Sequence, residues 1–179
     1  MPMILAAIDI GSNAARLLIT EVIDSEKKPF FEKLNLVRVP LRLGMDVFEK
    51  KEISDMKTSM LMNTIRSYKY LMDAYRVTNF KAAATSAMRD AKNGPEIIEA
   101  VAVATGIRIE IISGDDEAAF IYENHIAENL DSDNSYLYID VGGGSTELTC
   151  FADNRLLFKK SFNIGTIRLI KNQVTEAHW

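Results

Sequence analysis

Tyr138-Ile139-Asp140-Val141-Gly142-Gly143-Gly144-Ser145-Thr146-Glu147 reads as the end of an apolar strand, a glycine turn and the start of a second strand. Residues Tyr136 to Ile139 supply the incoming strand, and Asp140 stands at its end. Three consecutive glycines leave the backbone free to take positive φ and to approach a ligand closely. In such a turn several backbone N–H groups can converge on one anion. With Asp140 and Glu147 flanking it, the stretch points to a phosphoryl group and a hydrated divalent cation. The alternative is a hairpin turn with two solvated carboxylates, and a second copy of the pattern argues against it. Ala7-Ile8-Asp9-Ile10-Gly11-Ser12-Asn13-Ala14-Ala15-Arg16-Leu17-Leu18-Ile19 is again a strand, a terminal Asp, a polar turn and an outgoing strand. Two such units, far apart in one chain, suggest an internal duplication. Two facing phosphate turns imply a cleft between two lobes.

Composition narrows the class. A chain of 179 residues that is 47% hydrophobic can bury one full domain, or one domain and part of another. A formal charge of −4 gives no support for wholesale nucleic-acid binding, so DNA is not an expected partner. A single cysteine, Cys150, rules out an internal disulfide framework and fits a reducing cytosol, where it reads as a small core residue. No apolar run reaches the length of a membrane span, and the N-terminal run is broken by Asp9. The expectation is a cytoplasmic protein that does not enter membranes.

In chain order, strands are expected over Met3–Ile10, Ala14–Val22 and Phe30–Val39, with 40–45 closing the third. A long helix begins at Ser54, and its methionine-rich apolar stripe, from Met56 and Met60 to Met72, is read as core. A short strand Phe80–Ala84, a helix Glu96–Ala104 and a strand Ile107–Ile112 follow, and a further helix runs from Ser113 to about Asn129. Residues 131–134 form a polar linker. The second unit then supplies three strands, the last being Leu156–Phe162, and a turn at 163–166. Three strands followed by alternating helices and strands resemble the ribonuclease-H-like lobe of the actin, Hsp70 and sugar-kinase superfamily. The expected fold is therefore α/β: an actin-like ATPase lobe with a mixed five-stranded sheet flanked by helices over 1–129, plus the first strands of a second similar lobe over 130–179.

The motifs narrow this further. AIDIGSNAARLLI (7–19), LRLG (41–44), ATSAMRDAKN (84–93), ISGDDEAAFIY (112–122), IDVGGGSTEL (139–148) and NIGTIRL (163–169) occur in the order of the exopolyphosphatase and guanosine pentaphosphate phosphohydrolase family, which the chain resembles. Members of that family are usually longer, so the second lobe looks truncated, and a fragment of this kind is expected to be inactive alone or to self-associate, with a homodimer as the expected state. The resemblance implies hydrolysis of a terminal phosphoanhydride in polyphosphate or pppGpp, with Mg²⁺. It makes Glu117 the catalytic base, Glu147 a second essential carboxylate, and Asp140 with Glu147 the metal-linked pair. It assigns phosphate binding to Asp9, Gly11, Ser12 and Asn13, to Gly142, Gly143, Gly144, Ser145 and Thr146, and to Arg89, Gly165 and Arg168. Arg89 suits bidentate phosphate binding, although pairing with Asp90 or Glu96 is its plainer role. The departures are Asp115 and Asp116 in place of glutamates, Ala119 where many members carry Arg, and Ala14 in place of Ser or Thr. His125 and His178 stand in no Cys/His cluster and are read as ordinary surface or packing residues. An ATP-binding module of the same superfamily and a non-catalytic sensor of polyphosphate or (p)ppGpp remain the rival readings.

Overall fold

The structure, a computed structural model, describes residues 2–25, 29–114, 116–117, 134–153 and 155–175. The first unit comprises β1 (Met3–Ile10), β2 (Ala15–Ile23), β3 (Phe30–Val39), α1 (Leu43–Lys50), α2 (Asp55–Ala74), β4 (Asn79–Ala84), α3 (Ser86–Asp90), α4 (Gly94–Thr105) and β5 (Glu110–Ile111). The second comprises β6 (Tyr136–Val141), β7 (Thr146–Ala152), β8 (Arg155–Phe162) and α5 (Thr166–Ile170).

The first sheet has the order β3-β2-β1-β4-β5, and the second β6-β7-β8. β1–β2 and β2–β3 are antiparallel hairpins, whereas β1–β4 and β4–β5 run parallel. This is the expected mixed five-stranded sheet. Parallel pairs require a crossover, and α2 and α4 provide the two that this sheet needs. The second sheet repeats the β1-β2-β3 hairpins in β6, β7 and β8.

The core lies between the first sheet and its helices. Alternate residues Ala6, Ile8 and Ile10 of β1 and Ala15, Leu17 and Ile19 of β2 face it. From α2 come Leu61, Ile65, Tyr68 and Met72, one helical face. The methionine stripe is narrower than expected. Met72 is buried, but Met56 and Met60 are exposed, because they stand on the side of α2 turned from the sheet. The buried Tyr68 hydroxyl donates to the Ala15 carbonyl at 2.9 Å, at the start of β2. Tyr68→Phe is expected to cost about 1 kcal/mol by orphaning that carbonyl, which urea denaturation would measure.

Three helices are not anticipated by the sequence, α1, α3 and α5, the last following the expected turn at 163–166. The segment 40–45, expected to close β3, instead leads into α1 at Leu43. That helix buries Leu43, Val47 and Phe48. α3 is a five-residue helix directly after β4. β5 is shorter than the expected strand, although Ile107 and Ile109 ahead of it are buried. Of the helix expected over 113–129, Ser113, Gly114, Asp116 and Glu117 are described; the last three are helical and Ser113 precedes the first turn. His125, His178, Ala119 and the expected lobe boundary lie outside the described residues. Among the described residues no helix is long and apolar enough to cross a membrane.

Candidate active site

The parallel strands end side by side. Ile10 of β1 pairs with Ala84 of β4, and Ala84 with Ile111 of β5. The segments that leave these three ends therefore share one edge of the sheet, where ligands sit in open α/β sheets. They are the Gly11–Ala14 turn, Thr85–Ser86 leading into α3, and the helical turn that carries Glu117. That turn starts with a reciprocal cap. Asp116 N–H donates to Ser113 Oγ at 3.1 Å, and Ser113 Oγ and N–H donate to the Asp116 carboxylate at 2.7 and 3.3 Å.

The two glycine turns have the same closure. Gly11 N–H donates to the Ala14 carbonyl at 3.0 Å, and Gly142 N–H to the Ser145 carbonyl at 2.9 Å. The register extends the equivalence. Asp9 lies opposite Arg16 across the first hairpin, and Asp140 lies opposite Glu147 across the second. In the first pair Arg16 donates to the Asp9 carboxylate at 3.0 Å. In the second the partner is another carboxylate, and like charges directly opposed repel. Glu147 is 2% exposed and accepts a 2.7 Å hydrogen bond from Ser161 of β8.

The two turns face each other across a polar cleft with about 590 Å³ of empty space. Asp9, Gly11, Ser12 and Asn13 line one side, Asp140, Gly142, Gly143, Gly144, Ser145 and Glu147 the other, and Glu117 stands between them. Arg16, Thr85 and Ser86 also line it; the sequence places Thr85 and Ser86 at the ligand end of their strand but assigns none of the three a role in the site. The Ser12 and Ser86 hydroxyls share a buried 2.8 Å hydrogen bond. When one donates to the other, one proton remains available to an acceptor.

Glu117 is the most perturbed acid of the cleft. Burial pushes its carboxyl up to about 7; the charges of Glu147, Asp9 and Asp140 add to this, and Arg89 partly opposes it. Its Oε2 is buried without a hydrogen-bond partner. An acid poised near neutrality, with one free oxygen beside anion-sized turns, is equipped to accept a proton from water.

Comparison with known proteins places this geometry. Residues 22–178 match the Ppx/GppA phosphatase family. The chain belongs to the Ppx/GppA phosphatase family. It is 36% identical over 172 residues to a bifunctional 3-dehydroquinate synthase/phosphatase of Fusobacterium nucleatum, covering 92% of this chain and 25% of that protein. It is 27% identical over 167 residues to exopolyphosphatase 1 of Mycobacterium tuberculosis, covering 93% and 48%. An exopolyphosphatase structure from Cytophaga hutchinsonii superposes with a TM-score of 0.84 at 28% identity, over 95% of this chain and 53% of that one. The Ppx/GppA family member of Aquifex aeolicus gives 0.79 at 29% identity, over 96% and 54%. The chain thus spans about half the length of the exopolyphosphatases it matches and a quarter of the bifunctional relative.

Not every residue assigned by the Ppx/GppA resemblance reaches the cleft. Arg168 is buried and makes three internal contacts: its Nε donates to the Gly144 carbonyl at 2.6 Å and its Nη2 to Asp90, while its guanidinium stacks on Phe48 at 4.2 Å. Arg89, expected to bind phosphate, donates to the Ile112 carbonyl at 2.7 Å and so braces the loop before Glu117; among the described residues the alternative pairing with Asp90 or Glu96 is not formed. Thr146 Oγ1 donates to the Ile164 carbonyl at 2.5 Å, and Gly165 packs against the Gly143 backbone. None of these four lines the cleft.

The glycine triplet also has a different physical reason from the one anticipated. Among the described residues only Gly106, which ends α4, is a glycine at positive φ. Gly143 and Gly144 are required for space. A Cβ on Gly144 would lie 2.3 Å from Ser86 Oγ and 2.6 Å from Phe48 Cζ, and one on Gly143 would lie 2.9 Å from Ile167 Cδ1. Gly143 and Gly144 let the second turn lie directly on the first unit, against Ser12, Ser86 and Phe48.

Among the described residues no group of three His, Cys, Asp or Glu side chains converges to hold a metal ion. Among the described residues the cleft therefore shows no dedicated all-protein metal cage. The residues do fit a cation of the Mg²⁺ type, which takes one or two carboxylates and completes its shell with water and phosphate oxygens. Asp140, Glu147 and Glu117 all line the cleft, Glu117 Oε2 has no hydrogen-bond partner, and among the described residues no ion pair engages Asp140 or Glu147.

Proposed function

We propose that the complete protein, of which residues from about 130 onward begin the second lobe, is a phosphohydrolase that releases the terminal phosphate of inorganic polyphosphate or pppGpp. The observation that carries this reading is Glu117: a buried, orphaned carboxylate oxygen with a pKa near neutrality, set between two glycine turns of the same closure. Membership of the Ppx/GppA phosphatase family and similarity to exopolyphosphatases support it.

In this reading the terminal phosphoryl group lies between the two turns. Backbone N–H groups and the spare proton of the Ser12–Ser86 pair hold its oxygens. Glu117 orients the attacking water and takes its proton. Phosphoryl transfer asks chiefly for positioning and charge neutralisation, so these roles suffice without a covalent intermediate. Asp140 and Glu147 would hold Mg²⁺, which would supply neutralisation of charge on the phosphates. Arg16 keeps Asp9 compensated in the other half of the cleft.

The test is phosphate release by the complete protein from polyphosphate and from pppGpp, with Mg²⁺ and with EDTA. Release from one or both substrates, reduced at least tenfold by EDTA (order of magnitude, from loss of the cation's charge stabilisation), is the expected result. Tight substrate binding without release would replace the reading with a sensor, and ATP binding without either hydrolysis would replace it with a kinase-type module.

A further inference from the structure

We propose that Arg168 is a positioning residue that fixes the second glycine turn, with its carboxylates, at a set distance from Glu117. The proposal rests on the phosphohydrolase reading of the cleft for its kinetic readout only.

Three contacts carry it, and they lead to different parts of the molecule. Arg168 belongs to α5, which follows β8 in the second unit. Its Nε holds the carbonyl of Gly144, at the centre of the second turn. Its Nη2 is ion-paired with Asp90, the last residue of α3, and α3 opens with the cleft residue Ser86. Its guanidinium lies on the ring of Phe48, which is fully buried in α1. One planar cation therefore connects the second turn to two helices of the first unit. Arg suits this role because a fork of donors and a stacking face act together, which Lys cannot reproduce.

The neighbouring contacts point the same way. The first N–H groups of α5 are satisfied by the glycine turn itself. Thr166 N–H donates to the Gly142 carbonyl at 3.0 Å, and Ile167 N–H to the Gly143 carbonyl at 2.9 Å. The Ile167 side chain joins the hydrophobic core of the first unit. At the other end of the cleft, Gly114 is close enough to β8 that an added Cβ would meet Ser161 Oγ at 2.5 Å. The same Ser161 hydroxyl holds Glu147. Glu147 is thus held by Ser161, and the turn between Asp140 and Glu147 is seated by α5. Arg168 is 6% exposed, and its Nε, its Nη2 and one face of its guanidinium are taken up by internal contacts.

Arg168→Lys and Asp90→Asn, made singly and together in the complete protein, separate positioning from phosphate binding. Positioning predicts a fall in kcat of about 10- to 100-fold for Arg168→Lys, with KM changed less than about threefold, since a small misplacement damages the chemical step most. Asp90→Asn is expected to move kcat in the same direction, and the double variant to be no worse than Arg168→Lys alone. A KM raised tenfold or more at unchanged kcat, with Asp90→Asn silent, would overturn the proposal in favour of a phosphate ligand. A second measurement is independent of activity. The amide resonances of Gly142, Gly143 and Gly144 are expected to shift in both single variants while the core methyl spectrum stays dispersed. If the unaltered protein releases no phosphate, the functional reading fails and these resonances still decide: unshifted glycine amides in a folded Arg168→Lys protein would overturn the positioning role.

Discussion

Glu117→Gln in the complete protein is expected to lower phosphate release by about 10²- to 10⁴-fold, the usual contribution of a general base, without loss of thermal stability. The rate effect follows from geometry. Glu117 is the acid that stands between the two turns, and its Oε2 has no protein partner. Glutamine keeps the shape and cannot take a proton. The pH dependence follows from the same environment. Burial and neighbouring carboxylates hold the carboxyl at about 7, against an ordinary 4.5. A base must be ionised to act, so kcat/KM of the unaltered protein should rise with pH through about 7 and level off above it. In Glu117→Gln the residual rate should lack that rising limb.

The stability effect has the opposite sense. Between pH 4.5 and about 7 the folded protein holds a proton on Glu117 that the unfolded chain has released. Its contribution to stability is therefore present at low pH and is lost as pH rises through about 7. At pH 8 glutamine removes a charge that the fold disfavours, so the variant should melt at or above the temperature of the unaltered protein. Full phosphate release by the variant would remove Glu117 from the mechanism; a lower melting point at pH 8 would contradict the buried, uncompensated charge.

Much of this was legible in the sequence because the decisive signals are local. The strands around Asp9 and Asp140 are continuous apolar runs ended by an acid and a turn, and both units form the hairpins expected of them. The position of Arg16 carried a readable signal as well: it follows Asp9 at the spacing at which Glu147 follows Asp140. α1 was not legible for a physical reason. It has eight residues, and its N-cap, Arg42, adopts a left-handed conformation with no side-chain cap hydrogen bond. Standard start signals are therefore missing. Lys57 instead steadies that entry, donating to the Arg42 carbonyl at 2.5 Å while ion-paired with Asp46 at 2.7 Å. The role of Arg168 was hidden differently. Its partner Asp90 is 78 residues away, and only the packing of α5 on α1, which in turn packs on α3, brings the two together. A motif match could show that an arginine recurs there, and could not show which way it is employed.

The same distinction makes Gly165→Ala the most informative glycine substitution. It is expected to destabilise the protein by about 1–3 kcal/mol, the usual cost of forcing an extra methyl into a packed site, and to abolish most phosphate release. Gly165 is not at positive φ, so no backbone strain is involved. The obstacle is contact. An added Cβ would lie 2.5 Å from the carbonyl carbon and oxygen of Gly143 and from the carbonyl carbon of Gly144. These are backbone atoms and cannot swing aside as a side chain can, so the glycine turn or α5 must move. Either displacement would disturb the hydrogen bonds from α5 to Gly142 and Gly143 and the grip of Arg168 on Gly144. Gly11→Ala is the control for stability. It belongs to the equivalent turn of the first unit, but its nearest contact would be Ala14 O at an ordinary 3.5 Å. Its melting temperature should stay within a few degrees of the unaltered protein, for a change of under about 0.5 kcal/mol. Equal destabilisation by both substitutions would mean that these glycines serve the conformation of their own turns. A large loss at Gly165 alone would mean that the second turn is a packed surface first, and holds its ligand through being pressed against the first unit.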